Sequence, residues 1–151
     1  MEHLGWAFIS QARNNYDPGF YKLAEQTALC MESKKPNSLE AQLLRGHVLH
    51  NLHKFKEAET LARNLVEQRG LWFDYGLLGD VLMEQGQVDE AILSYQAMLD
   101  QRPGPHSYSR AAQIRWLKGD LKGAIEMMRL AVNAQSHRDR ESAAWSQIRL
   151  A

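Results

Sequence analysis

The sequence predicts an all-α protein in which about four helix–turn–helix repeats stack into a superhelix, followed by one terminal helix. The main observation is a repeat, because Gly46 and Gly79 lie 33 residues apart. The same step relates a second glycine pair, Gly86 and Gly119, and three alanines, Ala58, Ala91 and Ala124. Pro36 and Pro103 close two of the units. A period of about 34 residues with these residue types is typical of stacked helix pairs.

The four units follow one another along a single domain that spans residues 1–151. We place them at about residues 5–36, 39–70, 72–103 and 105–136, with the terminal helix at about 139–151. The first unit has a loop, NNYDPG, that is rich in turn residues. The second has Gly70 where a closing proline is expected. The positions that keep the repeat pattern in the first, second and fourth units are Phe8, Ala12, Ala24, Ala28, Gly46, Leu49, Ala58, Tyr108, Ala112, Gly119, Ala124 and Met128.

The third unit shows the pattern most clearly, and packing explains its small residues. Gly79 and Ala91 are expected where the two helices cross, because a larger side chain there would push them apart. Tyr95 is expected to fill the space beside the crossing. Gly86 suits the left-handed turn that ends the first helix, and Pro103 ends the second.

This unit resembles the tetratricopeptide repeat family. The residues that match the family pattern are Tyr75, Leu78, Gly79 and Leu82 in the first helix and Ala91, Tyr95 and Pro103 in the second. Met98 departs from it, being larger than the usual alanine. Segments such as DPGFYKLAE and RGHVLHNLHKFKEAE also look like a bacterial subfamily of uncharacterised repeat proteins. The resemblance implies an α-solenoid, with no known activity.

The resemblance also implies a binding surface. In this family the first helix of each pair lines a concave groove that takes an extended or helical segment of a partner. Carried over by position, the groove residues are Arg13, His47, His50, Asn51, Asp80, Met83, Glu84, Arg110, Gln113 and Trp116, with Trp6, Ile9, Leu43, Phe73 and Leu117 beside them. Trp116 fits either a binding anchor or a core residue packed on the next helix. We expect a non-catalytic scaffold for protein–protein interaction.

One family subtype grips the carboxylate at the end of chaperone tails through Lys, Asn and Arg side chains. At the corresponding positions this chain has Ile9, Arg13, Leu44, Phe73 and Leu77. Shifting the register by one unit does not restore the basic set. We therefore do not expect binding of chaperone tails.

The sequence offers little to support catalysis or a cofactor. His47 and His50 lie one helical turn apart, with Asp80 expected opposite, and such a set could hold a divalent metal. The spacing lacks the glutamate of a metalloprotease motif, and His53 is expected in a turn, so we predict groove or packing histidines and no metal. Phosphate-binding glycine loops and G-x-S-x-G are missing. The single cysteine, Cys30, excludes an internal disulfide and is expected to be buried.

Charge gives no general attraction to nucleic acid or to an anionic membrane, because 18 basic and 18 acidic residues cancel. We expect neither as a partner. Residues 71–103 hold six acidic residues and one basic residue, whereas residues 104–151 hold eight basic and four acidic residues. This gradient fits either solvated helix faces or a polarised partner.

Two further expectations concern the ends of the chain. The N-terminus lacks a basic start and a cleavage site, which favours the cytoplasm, with the periplasm left open if a signal was removed. After the polar stretch SHRDRE, the last helix carries Trp145, Ile148 and Leu150 without a partner helix. The alternative to a binding scaffold is therefore a structural spacer or a homodimer formed through this helix, in a chain cut from a longer array.

Overall fold

The computed structural model of the chain describes residues 1–135 and 140–151, and only the backbone in residues 140–142. In these residues it contains nine α-helices and no β-strand. The helices are α1 (Glu2–Asn15), α2 (Gly19–Lys34), α3 (Leu39–Asn51), α4 (Phe55–Gln68), α5 (Trp72–Glu84), α6 (Val88–Gln101), α7 (Pro105–Leu117), α8 (Leu121–Asn133) and α9 (Arg140–Leu150). The predicted all-α superhelix of helix pairs is confirmed.

Each helix packs on the next along the chain, so that α1 to α8 form four pairs and α9 stacks on α8. The helix bounds put α1 and α2 in the first unit, and α7 and α8 in the fourth. The linker expected before α9 falls largely on residues 136–139, which lie outside the described residues, as does Ser136 at the end of the fourth unit.

Left-handed residues end the first helices of all four pairs, beginning with Tyr16 at φ 55° after α1. Gly86 has φ 75° and Gly119 has φ 82°, as predicted for Gly86. His53, at the equivalent position of the second pair, has φ 58°. This conformation lets the chain reverse within a short turn, and it is costly for any residue that carries a side chain.

Small residues at the helix crossings are required by close packing. A Cβ atom on Gly79 would overlap the ring of Tyr95, and one on Gly46 would lie 2.6 Å from Cδ2 of Leu77. Ala91 is fully buried. The expected role of Gly79 at the crossing is confirmed, Tyr95 fills the adjoining space, and the burial of Ala91 agrees with its predicted place there.

The core runs between the helix pairs. Its largest cluster joins the second and third pairs and includes Leu43, Leu49, Leu65, Leu77, Val81 and Leu82. Cys30 was expected in the core but is only half-buried, because Ala24 and Ala28 form the innermost face of α2 and Cys30 lies at its edge. Among the described helices, none combines the length and the hydropathy that a membrane span requires.

Candidate binding groove

The first helices of the four pairs share a concave face with a mainly apolar depression. This depression, called here the aromatic slot, has a volume of about 410 Å³. It is lined by Glu2, Trp6, Arg13, Leu43, His47, Trp72, Phe73, Gly76, Leu77, Met98, His106 and Arg110. The slot therefore draws side chains from α1, α3, α5 and α7, with Met98 reaching it from α6.

Rings on four helices form the walls of the aromatic slot. Trp6 on α1 meets His47 on α3 edge-on, with ring centroids 5.1 Å apart. Trp72 meets Phe73 edge-on at 5.3 Å. Trp72 also lies nearly parallel to the imidazole of His106 on α7, at 6.5 Å. These contacts fix the orientation of each ring before any partner arrives.

Two guanidinium groups that do not line the slot lie over rings of its walls. Arg102 lies over the ring of Trp72 at 4.6 Å, and Arg69 lies over Phe73 at 4.8 Å. Arg69 is held in place because its Nε and Nη2 atoms donate to the buried carboxylate of Asp74 at 3.0 and 2.7 Å. Such cation–π contacts stabilise a ring by about 0.5–1 kcal/mol where solvent reaches them. The walls are therefore preorganised.

The floor of the slot is apolar. Leu43, Leu77 and Met98 are buried there, at 6%, 1% and 2% exposure. Met98 reaches the floor beside Gly76, where an added Cβ would lie 3.2 Å from its sulfur atom. The glycine thus makes room for the larger residue that replaces the family's usual alanine at position 98.

Beside the slot, the concave face becomes polar. A second depression of about 370 Å³, called here the polar recess, is lined by Arg13, Asp80, Pro105, His106, Ser109, Arg110, Gln113, Gln135, Trp145 and Ser146. At its centre Arg110 on α7 donates from Nε to Oδ1 of Asp80 on α5 at 2.7 Å and from Nη2 to Oδ2 at 2.5 Å. The Tyr95 hydroxyl donates to the same Oδ1 at 2.9 Å.

This ion pair fixes the charge state of its members. Burial raises the pKa of Asp80, but the charge and hydrogen bonds of Arg110 outweigh it and hold that pKa below its ordinary value. Burial and the neighbouring Asp80 raise the pKa of the Tyr95 hydroxyl. Asp80 is therefore an ionised carboxylate whose charge is already compensated within the protein.

The two histidines of α3 lie on the same side of the molecule but differ in surroundings. Burial lowers the pKa of His47 to about 4, although Asp80 opposes the shift, so the ring is neutral at neutral pH. The Nε2 atom of His50 is buried and has no hydrogen-bond partner in the described residues. Among the side chains that the structure describes, in residues 1–135 and 143–151, no three His, Cys, Asp or Glu side chains converge to hold a metal ion.

The structure places the residues predicted for the groove in several environments. Trp6, Arg13, Leu43, His47, Phe73 and Arg110 line the aromatic slot, and Asp80 and Gln113 join the polar recess. Ile9 of α1 is buried in the core. Met83 packs against the core cluster that joins the second and third pairs. Glu84 is exposed and lines neither depression.

Asn51 and Trp116 lie away from the slot. Asn51 donates to the carbonyl of His47 at 2.7 Å and accepts from the Tyr21 hydroxyl at 2.9 Å, so it ties α2 to α3. Trp116 is 59% exposed, and Leu117 beside it is 49% exposed. Trp116 borders a third depression of about 280 Å³, called here the C-terminal groove, lined by Ala112, Gln113, Trp116, Leu121, Ala124, Ile125, Met128, Ile148, Arg149 and Leu150.

Sequence reasoning missed Trp72, Met98 and His106 as groove residues. Trp72 and His106 lie in the first turns of α5 and α7. Trp72 precedes the first inward position of the family pattern by one residue, and His106 occupies that position in the fourth unit but was not selected. Met98 belongs to a second helix and reaches the slot only beside Gly76. The signal that could have found Trp72 is its place next to Phe73 at a helix start, since adjacent exposed aromatic residues are uncommon in a solvated turn.

Comparison with known proteins agrees with this architecture. The family model for the tetratricopeptide repeat matches residues 75–104. No curated protein sequence matches the chain.

Solved structures resemble the whole chain in fold. MamA (residues 41 to the end) from Desulfovibrio magneticus RS-1 superposes with a TM-score of 0.66 at 21% identity, covering 91% of this chain and 76% of that one. An RS-1 MamA double mutant superposes with a TM-score of 0.63 at 18% identity, covering 97% of this chain and 84% of that one. YrrB, described as a TPR protein with an unusual peptide-binding site, superposes with a TM-score of 0.64 at 21% identity, covering 95% of this chain and 74% of that one. The third helix pair therefore matches the tetratricopeptide repeat, and the whole chain has the all-α superhelical fold of these tetratricopeptide-repeat structures.

Proposed function

We propose that this chain is a non-catalytic scaffold that binds a peptide segment of a partner protein in the groove formed by α1, α3, α5 and α7. Proteins of this family are generally interaction scaffolds without catalytic activity, and this general role supports the proposal for this chain. The observation that carries the location is the aromatic slot, where half-buried rings of Trp6, Trp72 and Phe73 surround an apolar floor.

The physical case depends on partly exposed apolar surface. A ring that is half-buried in a concave wall still presents area that a partner can cover. Covering one large apolar side chain contributes about 1.5–3 kcal/mol, and preorganised walls reduce the ordering cost of binding. Preformed apolar depressions of this size with a few polar groups at the rim are the usual form of a binding site. A peptide ligand also agrees with the description of YrrB.

The test is selection of binders from a random peptide library displayed on phage, with the full chain immobilised. Synthetic versions of the selected peptides are then titrated against wild type, Trp72→Ala and Leu93→Ala. Leu93 is the matched control, since it is 71% exposed on α6 and lines none of the three depressions. Circular dichroism checks that each variant is folded.

We expect Trp72→Ala to weaken binding about tenfold or more, as for an aromatic hot spot, and Leu93→Ala to leave binding unchanged. Failure to select any peptide, or equal binding by wild type and Trp72→Ala, would contradict the proposal that the aromatic slot binds the peptide.

Exposed apolar side chains at the C-terminal end support a second candidate, self-association. Trp116, Leu121 and Ile148 are 59%, 60% and 75% exposed around the C-terminal groove. A patch of this kind commonly marks a protein interface. Light scattering over a range of concentrations tests it, with Ile148→Asp as the disrupting variant. A dimer that Ile148→Asp dissociates supports the candidate, and a monomer at every concentration removes it.

A further inference from the structure

Resting on the proposed function, we infer that the bound segment places an aromatic side chain between Trp6 and Trp72 and a carboxylate at Arg13. The proposal commits to a partner of stated chemistry, a short extended segment in which an acidic residue lies close to an aromatic one. Three features of the slot support it: an unpaired guanidinium, an uneven distribution of charge and the composition of the walls.

Arg13 differs from the other arginines around the aromatic slot. Arg110 is bound to Asp80, Arg69 is bound to Asp74, and Arg102 covers the ring of Trp72. Arg13 is exposed in the last turn of α1, and it makes no hydrogen bond or ion pair with any described residue. It nevertheless borders both the aromatic slot and the polar recess. Its donors are therefore available to a carboxylate of the partner.

Charge is unevenly distributed along the slot. Glu2 borders the slot at the start of α1 and Arg13 borders it near the end. These two residues are separated by about 16 Å along the axis, at about 1.5 Å per residue. Asp80 adds no net negative charge near Arg13, because its ion pair with Arg110 compensates it. A partner carboxylate is consequently favoured at the Arg13 end and disfavoured at the Glu2 end.

The walls favour a ring over an aliphatic side chain. Trp6 and Trp72 offer indole surfaces, and aromatic pairs in offset or edge-on geometry add about 0.5–1.5 kcal/mol beyond the area they bury. The sulfur atom of Met98 on the floor makes a further favourable contact with a ring.

The spacing of these groups limits the sequence of the segment. Trp6 precedes Arg13 by seven residues of α1, which is about 10 Å along the helix axis. An extended chain covers that distance in about three residues. The acidic residue should therefore lie about three positions from the aromatic residue.

The peptides selected on the wild-type chain provide the test. Each is titrated against wild type, Arg13→Glu and Arg129→Glu, and so is a version in which the acidic residue is replaced by lysine. Arg129 is the matched control, because it is exposed on α8 and borders neither the slot nor the recess. Titrations at low and high ionic strength measure the electrostatic part of binding.

We expect the selected peptides to share an aromatic residue with Asp or Glu about three positions away. Arg13→Glu should weaken them about tenfold at low salt and less at high salt, and Arg129→Glu should have no effect. The lysine version should bind Arg13→Glu better than it binds wild type. Peptides that need Trp72 but are indifferent to Arg13→Glu would overturn this inference and leave the proposed function standing. Peptides that need neither residue would overturn both.

Discussion

Asp80 on α5 and Arg110 on α7 form a two-point ion pair that joins the third helix pair to the fourth. Nε of Arg110 lies 2.7 Å from Oδ1 of Asp80, and both side chains are about four-fifths buried. The Tyr95 hydroxyl donates to the same carboxylate, so three consecutive helices meet at one charge. The pair stands at the centre of the polar recess.

We expect Asp80→Asn to destabilise the protein by about 2–3 kcal/mol, because it leaves the guanidinium of Arg110 partly buried without its counter-ion. The measurement is urea unfolding at neutral pH. Asp89→Asn is the matched control, since Asp89 is 95% exposed and pairs with Lys118 across the same two helix pairs at 3.6 Å. An exposed pair contributes at most about 1 kcal/mol. Equal losses in the two variants would contradict the central role of the Asp80–Arg110 pair.

The half-buried ring of His47 predicts a specific pH dependence of stability. Its pKa is lowered from 6.5 to about 4 in the folded protein by burial. Between these values the unfolded chain binds a proton that the folded chain does not, so the free energy of unfolding falls as the pH falls. Above about pH 6.5 this contribution is constant.

Thermal unfolding of wild type and His47→Gln between about pH 4 and 7 measures this effect, since the unshifted pKa is 6.5. We expect the variant to lose less stability than wild type on acidification. His53→Gln, which changes an exposed histidine in a turn, should keep the wild-type slope. Parallel curves for wild type and His47→Gln would show that burial does not keep this imidazole neutral.

The fold could be predicted from the sequence because small residues recur at equivalent positions of successive helix pairs. Gly46 and Gly79 occupy the same position in successive repeats, and an added Cβ would meet a large side chain at each. At Gly46 this is Leu77 on the next pair, and at Gly79 it is Tyr95 on the partner helix of the same pair. A small residue that recurs at a fixed spacing indicates a packing requirement, whereas a single one can be chance. The spacing therefore predicted the helix pairs and the left-handed glycine of the turn.

The candidate site was less predictable, because position along a helix does not tell how a polar side chain is used. Asn51 faces a direction that suits the groove, but it bonds Tyr21 and a backbone carbonyl. Met98 reaches the slot because Gly76 leaves room, which requires two helices to be in place. Which neighbouring repeat a polar side chain bonds to depends on how the repeats pack, so a sequence pattern within one repeat does not predict it.

Gly79 predicts a steric effect that helix propensity alone would hide. Alanine is favoured over glycine inside a helix by about 1 kcal/mol, yet a Cβ at position 79 overlaps the Tyr95 ring. We expect Gly79→Ala to be destabilising by about 1–3 kcal/mol, as in other overpacked cores. Gly104→Ala is the control, because a Cβ at this extended residue meets nothing within 4 Å. Chemical denaturation of both variants checks the difference, and a Gly79→Ala protein as stable as wild type would contradict it.

His53 predicts the opposite outcome, a substitution that stabilises. It holds the left-handed conformation that Gly86 and Gly119 hold in the next two turns, and a side chain there costs about 1–2 kcal/mol. Glycine removes that strain but gives up the edge-on contact between His53 and Phe55, whose centroids lie 5.4 Å apart, and it adds chain entropy to the unfolded state.

We therefore expect His53→Gly to raise the free energy of unfolding by about 0.5–1 kcal/mol. Gly86→Ala should lower it by about as much, because the same strain is then introduced one repeat later. Urea unfolding of the two variants measures both signs, and a destabilised His53→Gly protein would show that the ring contact outweighs the backbone strain.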